Sequence, residues 1–158
     1  MYVGDLARGR TVRSLSNLLT NYEGIRHVFV APPQLQIGQD ILDMLAARGA
    51  EYEVSDDMRA WLPRVDAVYM TRIQDEWDAT KGESARIDTS RFKIGPGEMR
   101  LLGPEAILMH PLPRRDEIST ECDSDPRAKY WRQMRNGMWV RTALIASTFD
   151  CGDAIDRY

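Results

Sequence analysis

The stretch Ala106-Ile107-Leu108-Met109-His110-Pro111-Leu112-Pro113 decides the fold. Its first four residues form an apolar run that reads as a buried strand. The two prolines that follow fix the backbone and remove two amide donors, so the strand ends in a rigid turn. In an open α/β sheet, the carboxyl ends of the strands are where ligands bind. A rigid strand-end turn continued by Arg114-Arg115-Asp116-Glu117 is therefore a candidate site as well as a strand terminus.

Working outward from this strand, the chain alternates strand and helix, which predicts a parallel sheet with helices on its faces. Tyr2 to Asp5 reads as the end of a first strand. Val12, Leu15, Leu18 and Leu19 recur at helical spacing, and Asn21 and Gly24 close that helix. Ile25 to Val30 predicts a second strand. Ile41, Met44 and Leu45 mark a second helix, with Gly49 at its C-terminal end. Tyr52 to Val54 predicts a third strand and Val65 to Met70 a fourth. Between these two, Ser55 is expected to cap a short helix carrying Asp56 and Asp57 in its first turn. Ile107 to Met109 is the fifth strand. A helix is expected from Pro126 with Asp125 as its cap, broken at Asn136-Gly137 before a last helix through Val140, Leu144 and Phe149. The expected fold is a three-layer α/β/α sandwich, Rossmann-like, with a parallel sheet of about five strands.

Residues 73–100 depart from this alternation. They are polar, rich in both charge signs and punctuated by Lys81-Gly82 and Gly95-Pro96-Gly97. A connection this long inside a compact domain reads as a lid, a binding loop or a disordered segment.

At 158 residues and 43% hydrophobic, the chain has the size and composition of one ordinary domain. A net charge of −3 offers no basic field for nucleic acid. No apolar run approaches the roughly 18 residues that span a bilayer. Cys122 and Cys151 have no metal-type spacing and read as reduced thiols of a cytoplasmic protein. The chain opens in mid-strand, which suggests a piece of a longer polypeptide.

Besides the proline turn, two other strand ends carry candidate chemistry. Gly4-Asp5-Leu6-Ala7-Arg8-Gly9-Arg10-Thr11 leads into the first helix, where guanidinium groups and free helix amides suit an anion. It matches neither a Walker-type phosphate loop nor a dinucleotide fingerprint. In Tyr69-Met70-Thr71-Arg72-Ile73-Gln74, Arg72 can grip a carboxylate bidentately while Gln74 offers an amide. Two arginines and a carbonyl-presenting turn at one crevice suit a small dianion, such as a dicarboxylic amino acid. The residues do not by themselves specify a reaction.

These stretches, with Asp123-Ser124-Asp125-Pro126-Arg127 and Asn136-Gly137-Met138, closely resemble the carboxyl-terminal, aspartate-binding half of the aspartate carbamoyltransferase family, in the family's order and over residues 1–148. The resemblance implies carbamoyl transfer from carbamoyl phosphate to the amine of L-aspartate, a step of pyrimidine synthesis. It implies that Arg10 and Arg72 hold the aspartate carboxylates, that Gln74 positions the amino acid, and that Leu112 and Pro113 present backbone carbonyls to carbamoyl phosphate. Their Leu-Pro bond is expected to be cis. Thr11 and His110 would be supporting residues, with His110 a structural strand-end histidine. No nucleophile, metal or cofactor is implied. Residues 1–158 would thus be one half of a two-domain transcarbamoylase that is a trimer when complete. The amino-terminal carbamoyl-phosphate domain would be absent and the isolated chain inactive. Exposed apolar surface is then expected along the last helix. A stand-alone amino-acid-binding module and a transcarbamoylase for another amine are the alternative readings.

Ornithine-specific relatives carry a cysteine in the proline turn and a Ser-Met-Gly loop. This chain has Pro111 and no such loop. It also departs from its own family after Gln74, where Lys-Glu-Arg is common and Asp75-Glu76-Trp77 stands here.

Overall fold

In the computed structural model, which describes residues 1–152, five parallel strands form one sheet in the order β3-β2-β1-β4-β5. The strands are β1 Tyr2–Val3, β2 Arg26–Val30, β3 Glu51–Ser55, β4 Ala67–Met70 and β5 Ile107–Met109. Tyr2 pairs with Phe29 on one side and Tyr69 on the other, so β1 lies at the centre. The chain winds outward from β1 through β2 to β3, then returns to the other side of β1 for β4 and β5. The order therefore reverses between β1 and β4, and such a switch point opens a crevice at the carboxyl ends of the strands.

Side chains along each strand alternate between the two faces. Tyr2, Phe29 and Tyr69 pack with Val12, Leu35, Ile41 and Leu45, under helices α1 (Arg10–Leu19) and α2 (Gln39–Ala47). Val3, Val28, Val30, Val68 and Met70 face the opposite layer, with Met58 and Leu62 at α3 (Met58–Trp61), Met99 of α4 (Pro96–Met99) and Tyr130. These are the three layers expected from the sequence. The strands start and stop within two residues of the expected positions.

Three local expectations are corrected. Ser55 does not cap α3, because it is still paired with Val30 at the end of β3. The cap is Asp57, whose carboxylate accepts from the Ala60 amide at 3.1 Å, while Ser55 Oγ accepts from the Asp57 amide at 3.0 Å. No helix starts at Pro126, since residues 127–129 run alongside β5: the Leu108 amide donates to the Arg127 carbonyl and the Lys129 amide to the Leu108 carbonyl, both at 2.8 Å. With those groups committed to the sheet, α5 begins only at Tyr130. It then runs unbroken to Thr148 through Asn136 and Gly137. A mid-helix glycine costs only about 1 kcal/mol, which does not end a helix of this length. Residues 153–158 of the expected domain lie outside the described residues.

The long connection after β4 divides in two. From Phe92 onward it is anchored: Phe92, Ile94, Met99 and Leu102 are core residues. Ile94 also bridges to Ile118, its amide donating to the Glu117 carbonyl at 2.8 Å. Residues 75–86 contain only short 3₁₀ turns and form a strap past the end of β4. In α5, Tyr130 alone is buried; Trp131, Met134, Met138, Trp139, Leu144 and Ile145 are exposed.

Candidate active site

The three predicted strand ends converge on one cleft of about 170 Å³, lined by Arg10, Thr11, Thr71, Arg72, Gln74, His110, Pro111, Leu112 and Pro113. All seven candidate residues lie there, brought together from the ends of β1, β4 and β5. A wider hollow of about 960 Å³ adjoins this cleft, shares Arg72 with it and is otherwise lined by Ile73, strap residues and Arg115. Two others, of about 540 and 470 Å³, flank the opposite ends of the strands around Arg26 and His27. These two lie away from the carboxyl edge at which sheets of this topology bind ligands.

The β1 side owes its shape to Gly4. Its φ is +112°, and a Cβ there would lie 2.2 Å from the Thr71 carbonyl oxygen. Only glycine lets the first turn pass so close to β4. Thr71 closes the contact by donating its hydroxyl to the Val3 carbonyl at 3.0 Å. Arg10 and Thr11 then form the first turn of α1, placing the positive end of that helix at the cleft. Asp5 is fully buried behind them, accepting from the amides of Arg8 at 3.1 Å and Gln74 at 3.1 Å. Arg8, the other arginine of this turn, does not line the cleft: its guanidinium reaches the strap, donating to Asp78 at 2.9 Å and Ser84 at 2.8 Å.

On the β4 side, Arg72 is held by its own chain. It donates to the Ile73 carbonyl at 2.9 Å and forms a two-pronged ion pair with Glu76, one arm at 2.8 Å. The hydrogen bond from Arg72 holds the Glu76 carboxyl at about 2. Asp75, next to it, pairs with Arg115 at 2.9 Å, tying the strap to the chain beyond the proline turn. The acidic substitutions after Gln74 are thus neutralised internally.

The β5 side is the proline turn, where the Leu112–Pro113 peptide is cis and Leu112 has φ +55°. A left-handed conformation costs a leucine of order 1–3 kcal/mol and persists only where its surroundings hold it. His110 supplies that hold. Its Nδ1 accepts from the Leu112 amide at 2.8 Å and its Nε2 lies 2.7 Å from Glu117, so the neutral ring carries its proton on Nε2 and donates it to the carboxylate. The His110 amide in turn donates to Gln133 of α5 at 3.1 Å. Both ring nitrogens are occupied, as a structural histidine requires and a free general base does not.

Burial pushes the Glu117 carboxyl up, but hydrogen bonds from His110 and the Arg115 amide outweigh this and leave it below its usual value near 4.5. A carboxylate with a depressed pKa contributes stability above that value and loses it as pH falls through the folded-state pKa. Replacing Glu117 with alanine strands both donors, for a cost of about 2 kcal/mol. Thermal melts at pH 7 should show a drop of roughly 5 °C. The gap from wild type should narrow as the pH is lowered below 4; a constant gap down to pH 3 would show that the carboxylate's charge is not what matters.

Sequence reading placed Asp5, Arg8 and Glu117 in candidate stretches without giving them a role, and missed Asp78 and Gln133. Glu117, seven residues past His110, was within reach of a local argument, because a strand-end histidine needs an acceptor. The others act across 23 to 76 residues of chain.

Fold and cleft together define an open α/β domain that brings two arginines, an amide side chain and a strand-end turn to one cleft at the switch point of its sheet. Residues 1–148 match the Asp/Orn-binding domain model of aspartate/ornithine carbamoyltransferases, and the chain belongs to that family. It is 41% identical over 143 residues to the chloroplastic aspartate carbamoyltransferase of Oryza sativa subsp. japonica, covering 90% of this chain and 39% of that protein. Among solved structures, the catalytic subunit of M. Jannaschii aspartate transcarbamoylase superposes with a TM-score of 0.83 at 34% identity, over 96% of this chain and 49% of that one. The Trypanosoma cruzi aspartate transcarbamoylase in complex with N-(phosphonacetyl)-L-aspartic acid superposes with a TM-score of 0.82 at 38% identity, over 91% of this chain and 47% of that one. The chain thus spans less than half the length of these relatives.

Proposed function

We propose that this chain is the aspartate-binding half of an aspartate carbamoyltransferase, and that the cleft takes L-aspartate with its amine directed at carbamoyl phosphate. The convergence of Arg10, Arg72, Gln74 and the 110–113 turn at the switch point carries this reading. The guanidinium groups of Arg10 and Arg72 take the two carboxylates, and the Gln74 amide orients the amino acid. Backbone carbonyls of Leu112 and Pro113 receive the carbamoyl nitrogen's protons, with Thr11 and His110 in support. The aspartate nitrogen attacks the carbamoyl carbon, a carbon–nitrogen bond forms, the carbon–oxygen bond to phosphate breaks, and the amine loses a proton. No side chain need form a covalent intermediate. Rate enhancement comes from holding two reactants in line and stabilising charge as it develops.

The phosphate site belongs to the other half of the longer relatives, which these 158 residues do not match. The exposed apolar residues of α5, from Trp131 to Ile145, form the face on which that half docks. The complete enzyme would be a trimer. The test is formation of N-carbamoyl-L-aspartate by the purified chain alone and mixed with a carbamoyl-phosphate half from a relative. Activity is expected only in the mixture. Activity of the chain alone would refute the division of labour proposed here.

The paired carboxylates of Asp75 and Glu76 beside Arg72 favour one second reading, an amino-acid-binding module without transfer activity. Such a module would bind L-aspartate and stay inactive in a mixture whose halves demonstrably associate.

A further inference from the structure

Arg8 holds a position that its place in an anion-type turn does not suggest. Its side chain is one-fifth exposed, and one nitrogen, Nη1, serves three acceptors on the far side of the cleft wall. These are the Gln74 carbonyl at 3.1 Å, Asp78 Oδ1 at 2.9 Å and Ser84 Oγ at 2.8 Å. Asp78, 5% exposed, also accepts from the Ser84 amide at 3.1 Å and from the Ser84 hydroxyl. The buried Asp5 stands 3.8 Å from the same nitrogen. Arg8 and Asp78 therefore form a knot between the turn after β1 and both arms of the strap, with little water to screen it. A shielded pair with satisfied hydrogen bonds is worth more than an exposed one.

The consequence falls on Gln74. Its amide donates to Asp5 at 3.1 Å and its carbonyl accepts from Arg8 at 3.1 Å, so the two peptide groups flanking its Cα are fixed from one turn. Gln74 has φ −100° and ψ 67°, outside regular helix or strand, and lies beyond the last paired residue of β4. The Gln74 carbonyl also accepts from the Trp77 amide at 3.0 Å within the strap, so Asp5 and Arg8 are the groups that tie its backbone to the turn after β1.

We propose that Arg8 is a positioning residue: through Asp78, Ser84 and the Gln74 carbonyl it holds the strap in place and aims the Gln74 side chain into the cleft. This rests on the reading of the cleft as the amino-acid site. The knot is preformed, so the ligand need not spend binding energy on ordering the strap.

The experiment uses the purified chain with N-carbamoyl-L-aspartate and L-aspartate as probes, in calorimetric or NMR titrations, alongside amide hydrogen exchange without ligand. Arg8→Met keeps most of the stem and removes the donors. It should raise exchange across residues 74–86 but not in β2 or β4, and weaken N-carbamoyl-L-aspartate binding about tenfold. Asp78→Asn, which acts on the same pair from the strap, should give the same pattern more weakly, and covers the case in which Arg8→Met does not fold. The decisive comparison is made in a Gln74→Ala background. If Arg8 acts through Gln74, Arg8→Met there should add less than about twofold, because coupled residues are not additive. An undiminished tenfold loss in that background, or faster exchange with unchanged binding, would reduce Arg8 to general stabilisation and overturn the proposal. Failure of the wild-type chain to bind either probe would instead refute the reading of the cleft.

Discussion

Replacing Arg72 with alanine should weaken L-aspartate binding by roughly 100-fold, about 3 kcal/mol, and abolish measurable transfer in the reconstituted mixture. Arg72 is a planar fork at the end of β4, already oriented by the Ile73 carbonyl and Glu76, so little conformational entropy is lost when a ligand carboxylate arrives. The substitution removes that attraction. It also leaves the Glu76 carboxylate unopposed beside the cleft proposed to take a dianion, so repulsion adds to the loss.

This second contribution has its own signature. Glu76→Ala introduced into Arg72→Ala should recover part of the lost affinity, although in the wild-type background it removes a partner that orients Arg72. Because Glu76 is held at about 2, the pair forms at every pH above its ordinary range and is lost only as pH falls toward 2. The Arg72 effect should therefore be flat between pH 6 and 9. A loss under about threefold on Arg72→Ala, converted through the binding constant, would remove Arg72 from the site.

Gly4→Ala should be the most damaging single substitution to the fold near the cleft, costing about 4 kcal/mol and lowering the melting temperature by roughly 10 °C. Two independent penalties act at this position. The backbone sits at φ +112°, where an L side chain is strained, and the added methyl would meet the Thr71 carbonyl oxygen at 2.2 Å and its hydroxyl at 2.8 Å. Neither atom can retreat cheaply, because Thr71 is bonded to Val3 through both its amide, at 2.8 Å, and its hydroxyl, at 3.0 Å. Denaturant unfolding followed by tryptophan fluorescence reads the effect directly. Gly49→Ala is the control: it also has positive φ, +67°, but a Cβ would meet nothing within 4 Å, so only backbone strain of about 1 kcal/mol is expected. Equal losses at the two positions would show that the close approach to Thr71 is unimportant.

Much of this fold was legible in the chain because its signals are local. Strands such as Arg26–Val30 and Ile107–Met109 carry β-branched and apolar runs bounded by turn residues, and the alternation with helices implies parallel order. The misreadings also have a common cause. Asp125-Pro126 has the chemistry of a helix start, yet the backbone of 127–129 bonds instead to Leu108, about twenty residues earlier in the chain. Ser55 has the chemistry of a cap, yet its backbone is committed to Val30. In both places a sheet partner distant in sequence outcompeted a local motif.

The site divides along the same line. Sequence alone determined which residue types stand at each strand end: the arginine that opens α1, Arg72 and Gln74 past β4, and the proline turn past β5. Strand–turn–helix chemistry and proline geometry operate within a few residues, so they are written where they act. Tertiary structure alone decided which of these groups face one another and which are spent elsewhere. Arg8 and Arg10 are two positions apart and chemically alike, yet one lines the cleft while the other is tied to Asp78 and Ser84, 70 and 76 residues away. Charge is a property of the residue, but its partner is set by the crossing of the chain from β1 to β4, which no local pattern encodes.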